Sequence, residues 1–382
     1  MSKAIDLGTS NILSAKDDGK GGVEVGCVRN CFLTLDDEPF QEAMLDNSPG
    51  ANYVKKDGKL HVLGDFALPL GAALKEKVRR PMWKGMLNKK EPDAAAMLKI
   101  MATQLIGPAA YKGEILAMTC PESPMDDTTL DVTFHRQITV KWFEELGYEV
   151  RPINEAVGVG FELKPTMETT EGNLPLTGIA LSLGGGMTNG VKLIRGMPLT
   201  PFSISKGGDY IDKKASDAMQ LSPEKFCMVK EKKIKLADNT IVSQLDLADS
   251  NQQDVRYGAL YVYYQNLIEH IVDMLQTVLA SDPDNRIEDP CDVVIAGGTA
   301  SPRGFSKMFS DICKKKNLGF PVKSVKVADD PIKCIVIGSL KISKLEERRA
   351  AKEKDKNNQN NNTVNSEQKA VQKVIESGEN KG

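Results

Sequence analysis

The 382-residue sequence predicts a duplicated α/β protein with two lobes, each built around a strand–turn–strand hairpin. Two of the observations behind this are segments that look like copies of one plan. Ala4-Ile5-Asp6-Leu7-Gly8-Thr9-Ser10-Asn11 is a short apolar strand, a polar residue, then a Gly/Ser/Thr turn into a second strand. Ala180-Leu181-Ser182-Leu183-Gly184-Gly185-Gly186-Met187-Thr188-Asn189 repeats that plan and runs on into Val191 to Ile194. Their spacing is that of a domain, far longer than a solenoid repeat. The third observation is Val293-Val294-Ile295-Ala296-Gly297-Gly298-Thr299-Ala300-Ser301-Pro302. It reads as a buried strand, a Gly-Gly turn, and a helix with Ser301 as N-cap and Pro302 at its first position.

That helix places Phe305, Met308, Phe309 and Ile312 at the spacing of one buried face. Residues 257–280 form a longer amphipathic helix, with Leu260, Tyr264, Leu267, Ile271, Leu275 and Val278 on one side and Asp282-Pro283 as its stop. Another helix runs through Trp142 to Leu146 and ends at Gly147. Past Leu345 the composition shifts. Residues 346–356 are nearly all charge and alanine, and 357–362 are Asn and Gln. A solvated helix end and a disordered tail are expected there, with Val371, Val374 and Ile375 as one short apolar pattern that makes the tail a candidate partner-binding segment.

Composition narrows the function classes. Hydrophobic residues at 41% and charged residues at 27% suit two globular cores. Aromatics at 5% are too sparse for a stacking platform, and a net charge of −2 calls for no nucleic acid partner. Cys27, Cys31, Cys120, Cys227, Cys291, Cys313 and Cys334 are scattered and odd in number, as expected of reduced thiols. His61, His135 and His270 are too far apart in sequence to suggest a histidine metal site. With no signal-peptide pattern and no run of 18 apolar residues, a cytoplasmic location is expected; contact with a membrane surface is left open.

Two small-residue hairpins and a Gly-Gly turn suggest a chemistry. A tight hairpin without bulky side chains points successive backbone N–H groups into one concavity, which suits phosphate oxygens. Two such hairpins facing each other would hold a polyphosphate between lobes. Asp6, at a strand end, would hold Mg2+ through its water shell, because Mg2+ dehydrates reluctantly. Gly297-Gly298 would let a flat base approach the backbone. No GxxxxGK[ST] segment is present, so this is not a P-loop.

These residues resemble the actin, heat-shock chaperone and sugar kinase superfamily. Ile5 to Asn11 resembles its first phosphate loop, Leu183-Gly184-Gly185-Gly186 with Thr188 its second, Ile295 to Phe305 its adenosine motif, and Ile153-Asn154-Glu155-Ala156 its first connecting helix. Arg80-Pro81-Met82-Trp83-Lys84-Gly85 and Val327-Ala328-Asp329-Asp330-Pro331 with Gly338 are similar to segments of bacterial actin-like proteins of the MreB and MamK kind. The resemblance implies duplicated RNase H-like domains and two lobes of four subdomains around a nucleotide cleft. It places the first lobe at 1–152 plus 328–345, with a small subdomain at about 31–77, and the second at 153–327, with a small subdomain at about 205–256 and a tail at 346–382.

The resemblance further implies ATP or ADP with Mg2+. Gly8, Thr9, Ser10, Asn11, Ser182, Gly184, Gly185, Gly186 and Thr188 would face the phosphates. Lys230, Glu231 and Lys233, on a charged helix, would face the adenosine with Gly297, Gly298 and Thr299, while Gly207-Gly208-Asp209 opens the small subdomain. Two departures stand out. Ser182 replaces the usual aspartate and lacks its charge, and Ala156 replaces a proline. The water-positioning residue is expected on the helix after Cys120-Pro121, with Gln137 the better chemical match beside His135. The expected protein is an actin-like, head-to-tail homopolymer whose ATPase (ATP and water to ADP and phosphate) is weakened by Ser182. The alternatives are a weakly hydrolysing scaffold, a chaperone-type ATPase, for which the stretch after Leu345 is too short to supply a substrate domain, and a small-molecule kinase, for which no acceptor-side carboxylate stands out.

Overall fold

The computed structural model describes residues 2–282, 286–316 and 318–353. Two sheets carry the fold. In the first, Lys3–Leu7 lies between antiparallel Asn11–Asp17 and parallel Glu114–Thr119, with Val23–Arg29 and Tyr148–Ile153 on the outer flanks. In the second, Gly178–Leu183 lies between antiparallel Thr188–Ile194 and parallel Cys291–Ala296, with Met197–Ile204 and Val322–Val327 outside them. Strand order and direction match, so whole folding units are repeated, not only a loop. A short hairpin, Thr166–Thr169 with Gly172–Pro175, adds to the second sheet where Met167 faces Cys291.

The inner parallel strands are buried on both faces. All six residues of Glu114–Thr119 and all six of Cys291–Ala296 are buried, which is why these stretches read as apolar runs without alternation. Helices Ala94–Ile106 and Thr133–Glu144 cover the first sheet through Met97, Leu98, Met101, Trp142 and Phe143. Helices Val255–Ala280 and Phe305–Lys316 cover the second through Tyr264, Leu267, Ile271, Phe305 and Phe309. Smaller units extend each half: the strands Phe32–Asp36, Tyr53–Lys56 and Lys59–Leu63 in one, and the helices Gly208–Met219 and Pro223–Lys230 in the other.

Helix Glu155–Leu163 crosses the helix at 334–353 at very short range. A Cβ on Gly158 would lie 2.6 Å from the Ile335 carbonyl oxygen, and one on Gly338 would overlap the Gly158 carbonyl. Only glycine permits that approach.

One expectation needs correction. The helix after the Gly-Gly turn starts at Phe305, not behind a Ser301 cap. Arg303 is drawn into pairing with Asp246, its carbonyl accepts from Leu247 N at 2.7 Å, and Gly304 has a φ of +72°. Those contacts hold 301–304 out of helical geometry. The last helix runs past Leu345 to 353, the charged helix end read from the sequence, and there Glu347 accepts from Ser2 Oγ at 2.5 Å and from the Tyr111 hydroxyl at 2.7 Å. Pro283 and the rest of the expected tail, including Val371, Val374 and Ile375, lie outside the described residues. Among the described residues no helix is long and apolar enough to cross a membrane.

Candidate functional site

The first hairpin is a tight turn built for close approach. A Cβ on Gly8 would lie 2.6 Å from the Asn11 carbonyl oxygen, so the turn excludes any larger residue there. Asn30 secures it, donating from Nδ2 to the Gly8 carbonyl at 2.8 Å and from its backbone N–H to the Ser10 carbonyl at 2.9 Å. Asn11 opens the second strand, paired with Arg29.

The second hairpin packs directly onto the first. A Cβ on Gly185 would overlap Ser10 Oγ, and one on Gly186 would overlap Thr9 Oγ1 and lie 2.7 Å from Gly85 N. Gly85 N in turn donates to Thr9 Oγ1 at 2.9 Å. Arg80 binds the same junction: Nη1 reaches both Asp209 carboxylate oxygens at 3.1 Å, while Nη2 reaches the Thr9 carbonyl at 3.1 Å and Ser10 Oγ at 3.2 Å. Asp209 N and Gly208 N donate to the carbonyls of Gly185 and Gly184.

Beneath this junction sit two carboxyl groups. Asp6 is buried and accepts from Thr119 Oγ1 at 2.5 Å. Glu155 accepts from Ser182 Oγ at 2.8 Å. Burial pushes Asp6 up to about 6, with Thr119 opposing. Burial first, and the Asp6 charge second, push Glu155 up to about 8 against the donors Ser182 and Asn189. The two titrate as a pair that prefers to keep one proton. Asn154 starts the helix as an N-cap, its Oδ1 accepting from Ala156 N at 2.9 Å. A proline at 156 would lack that N–H, so the alanine supports the cap that aims Glu155.

The Gly-Gly turn closes the far side. Gly297 has a φ of +96°, a Cβ there would overlap the Leu183 carbonyl, and Thr299 Oγ1 donates to the Gly184 carbonyl at 2.8 Å. A Cβ on Gly298 would make only an ordinary contact with Ile332 Cγ1, at 3.9 Å. Lys230 is partly buried, with Nζ 2.6 Å from Asp212 and 3.1 Å from the Gly208 carbonyl. Glu231 bridges to Arg29 at 3.1 Å. Thr188 is buried and spends its hydroxyl on the Lys206 carbonyl.

Two residues expected at the site have exposed side chains that hydrogen-bond to none of the residues above. The helix ends at Lys230, so Lys233 is an exposed residue in the hairpin of Lys233–Lys235 with Ile241–Ser243. Gln137 is exposed on the helix whose buried face is His135, Thr139, Trp142 and Phe143. A residue two positions from His135 points the other way. The carboxyl group that joins Asp6 is Glu155, and its signal was an Asn-Glu pair at a strand-to-helix junction. Thr119, Arg29 and Asn189 have no local signal; only folding brings them to the site.

The donor set suits a metal held mainly by water and phosphate. Among the described residues no three His, Cys, Asp or Glu side chains gather into a cage. Mg2+ commonly takes one or two carboxylates and leaves the rest of its shell to water and phosphate oxygens, a set in which Asp6 could serve as the carboxylate. The glycine-lined junction, where a Cβ would meet backbone or hydroxyl on every side, is a fitting cradle for phosphate oxygens.

The paired sheets with two hairpins packed between them make a two-lobed fold of the actin-like kind. The chain belongs to the Volactin family, whose sequence model matches residues 1–342. Its fold is similar to that of a MamK double helical filament subunit at a TM-score of 0.62 and 16% identity, over 90% of this chain and 99% of that one. MreB5 of Spiroplasma citri bound to AMPPNP gives 0.58 at 16% identity, over 92% and 98%, and the same protein bound to ADP gives 0.57 at 16%, over 91% and 98%. A search of curated proteins finds no match.

Proposed function

We propose that this chain binds Mg-ATP between its two hairpins and assembles head to tail into a filament in a nucleotide-dependent way, with slow hydrolysis. The observation that carries the reading is the packing of Gly185 and Gly186 on Ser10 and Thr9, above Asp6 and Glu155. In this reading Gly8 to Asn11, Ser182 and Gly184 to Gly186 face the phosphates. Lys230, Glu231 and Gly297 to Thr299 face the nucleoside. Asp6 holds Mg2+ through water. Bound Mg2+ would neutralise charge on the phosphates, which lowers the barrier to their cleavage.

Glu155 is the residue placed to orient the attacking water and take its proton. Its high proton affinity makes it a poor base at neutral pH, in keeping with slow turnover. Ser182 supplies a hydrogen bond where a second carboxylate would add like charge. Filament formation is supported by fold similarity to the MamK filament subunit, and adenine nucleotide by the AMPPNP and ADP of the MreB5 structures. A repeated head-to-tail contact that does not close gives an open filament.

Sedimentation with ATP, ADP or no nucleotide, beside phosphate release, tests both halves. ATP-dependent pelleting with slow release is expected. Nucleotide-independent monomers would refute assembly.

A further inference from the structure

One ion pair spans the line where the two hairpins meet. Arg80 Nη2 donates to the Thr9 carbonyl at 3.1 Å and to Ser10 Oγ at 3.2 Å, so its guanidinium rests on the first hairpin. Its Nη1 reaches both carboxylate oxygens of Asp209 at 3.1 Å. Asp209 stands on the other side of the line. Its N–H donates to the Gly185 carbonyl at 2.8 Å, and its Oδ1 is 3.7 Å from where a Gly185 Cβ would lie. That same Cβ would overlap Ser10 Oγ. The carboxylate is therefore beside the point where the hairpins touch, and the guanidinium ties it to the first of them.

The pair is exchangeable. The Arg80 and Asp209 side chains are 38% and 37% exposed, and an ion pair that wet holds weakly. A guanidinium matches carboxylate and phosphate oxygens with the same donor geometry. Other donors near the junction are already spent. Gly208 N and Asp209 N, at the start of the helix Gly208–Met219, donate to the Gly184 and Gly185 carbonyls. Lys230 is held by Asp212 and the Gly208 carbonyl, and Lys84 by Asp127. Among the described residues, Arg80 is the basic side chain that hydrogen-bonds directly to either hairpin turn.

We propose that Arg80 is a phosphate-binding residue, and that the Asp209 carboxylate competes for it with the terminal phosphate of a bound nucleotide. The proposal rests on the reading of the hairpin junction as the phosphate site. Competition gives the two residues opposite signs. Losing the arginine weakens binding, whereas losing the aspartate charge strengthens it. An ion pair that only clasped the lobes together would give both losses the same sign.

The test is titration calorimetry of Mg-ATP, and of inorganic tripolyphosphate, into the full chain and its variants. Arg80→Gln is expected to weaken both ligands by about 10- to 100-fold, the worth of a hydrogen bond to a charged group. Asp209→Asn should tighten both by about twofold to fivefold, the strength of an exposed pair returned to the ligand. In the double variant that gain should vanish, leaving the affinity of Arg80→Gln alone. A gain that survives undiminished there would reduce Asp209 to general charge repulsion and overturn the proposal. Weaker or unchanged binding in Asp209→Asn would overturn it as well, and decides the matter alone if Arg80→Gln does not fold. Wild-type binding of Mg-ATP that neither substitution alters removes the competition but keeps the phosphate site. A wild type that binds neither ligand removes both.

Discussion

Ser182 Oγ donates to Glu155 Oε2 at 2.8 Å, so a hydroxyl on the central strand of one sheet holds the carboxyl that opens the connecting helix. This contact gives the serine a role that its sequence position alone did not suggest. Glu155→Gln is expected to cut phosphate release by about 10²-fold or more while leaving Mg-ATP affinity within a few-fold, because only the proton-accepting step is lost. Ser182→Ala should cost about 10-fold, the worth of one hydrogen bond to a charged group. Single-turnover phosphate release with parallel calorimetry checks both.

The same carboxyl pair gives stability a pH dependence. Asp6 and Glu155 rise from ordinary values of 3.8 and 4.5 to about 6 and about 8 in the folded chain. The folded state therefore keeps protons that the unfolded chain has released, and stability is lost as pH rises from about 4 to about 8. Without nucleotide or Mg2+, Tm should fall across that window. Glu155→Gln should flatten the fall and melt higher than wild type at pH 8, by about 2–4 °C for each kcal/mol regained. Calorimetric scans at pH 5 and pH 8 measure it.

Gly186→Ala tests the junction of the hairpins. The added methyl would meet Thr9 Oγ1, Gly85 N at 2.7 Å and Lys84 Cα at 3.0 Å, two of them backbone atoms that cannot rotate away. A cost of about 1–3 kcal/mol is expected from overpacking. Nucleotide affinity should fall alongside Tm. Trp83, half exposed on the neighbouring turn, offers a fluorescence readout once buried Trp142 is replaced by Phe.

Arg29 and Glu231 bridge the two halves at 3.1 Å, with Arg29 about a quarter and Glu231 half exposed. A pair that wet is worth about 0.2–1 kcal/mol. Arg29→Ala should therefore speed release of a fluorescent ATP analogue by no more than about fivefold. The exchange Arg29→Glu with Glu231→Arg should restore the wild-type rate. Stopped-flow chase experiments check this.

Local pattern carried much of the fold. The hairpins at Asp6 and Ser182 and the strand before Gly297 were legible because each is written in consecutive residues, as a buried run followed by small ones. The buried face Phe305, Met308, Phe309 and Ile312 was equally plain. What stayed hidden is non-local. Nothing near Ser301 announces that Arg303 pairs with Asp246, and nothing near Arg29 points to Glu231. Glu155 was visible as a helix-opening residue. Its part in the site follows from contact with Ser182 and proximity to Asp6, which no local pattern shows, so side-chain chemistry on the helix after Cys120-Pro121 led instead to Gln137, on an exposed helix face.

The most direct test is titration calorimetry of Mg-ATP into the wild-type chain and into Asp6→Ala. The account predicts one saturable site in the wild type and, in the variant, clearly weaker binding with its Mg2+ dependence lost. Equal heats from both proteins, or no heat from either, would contradict it.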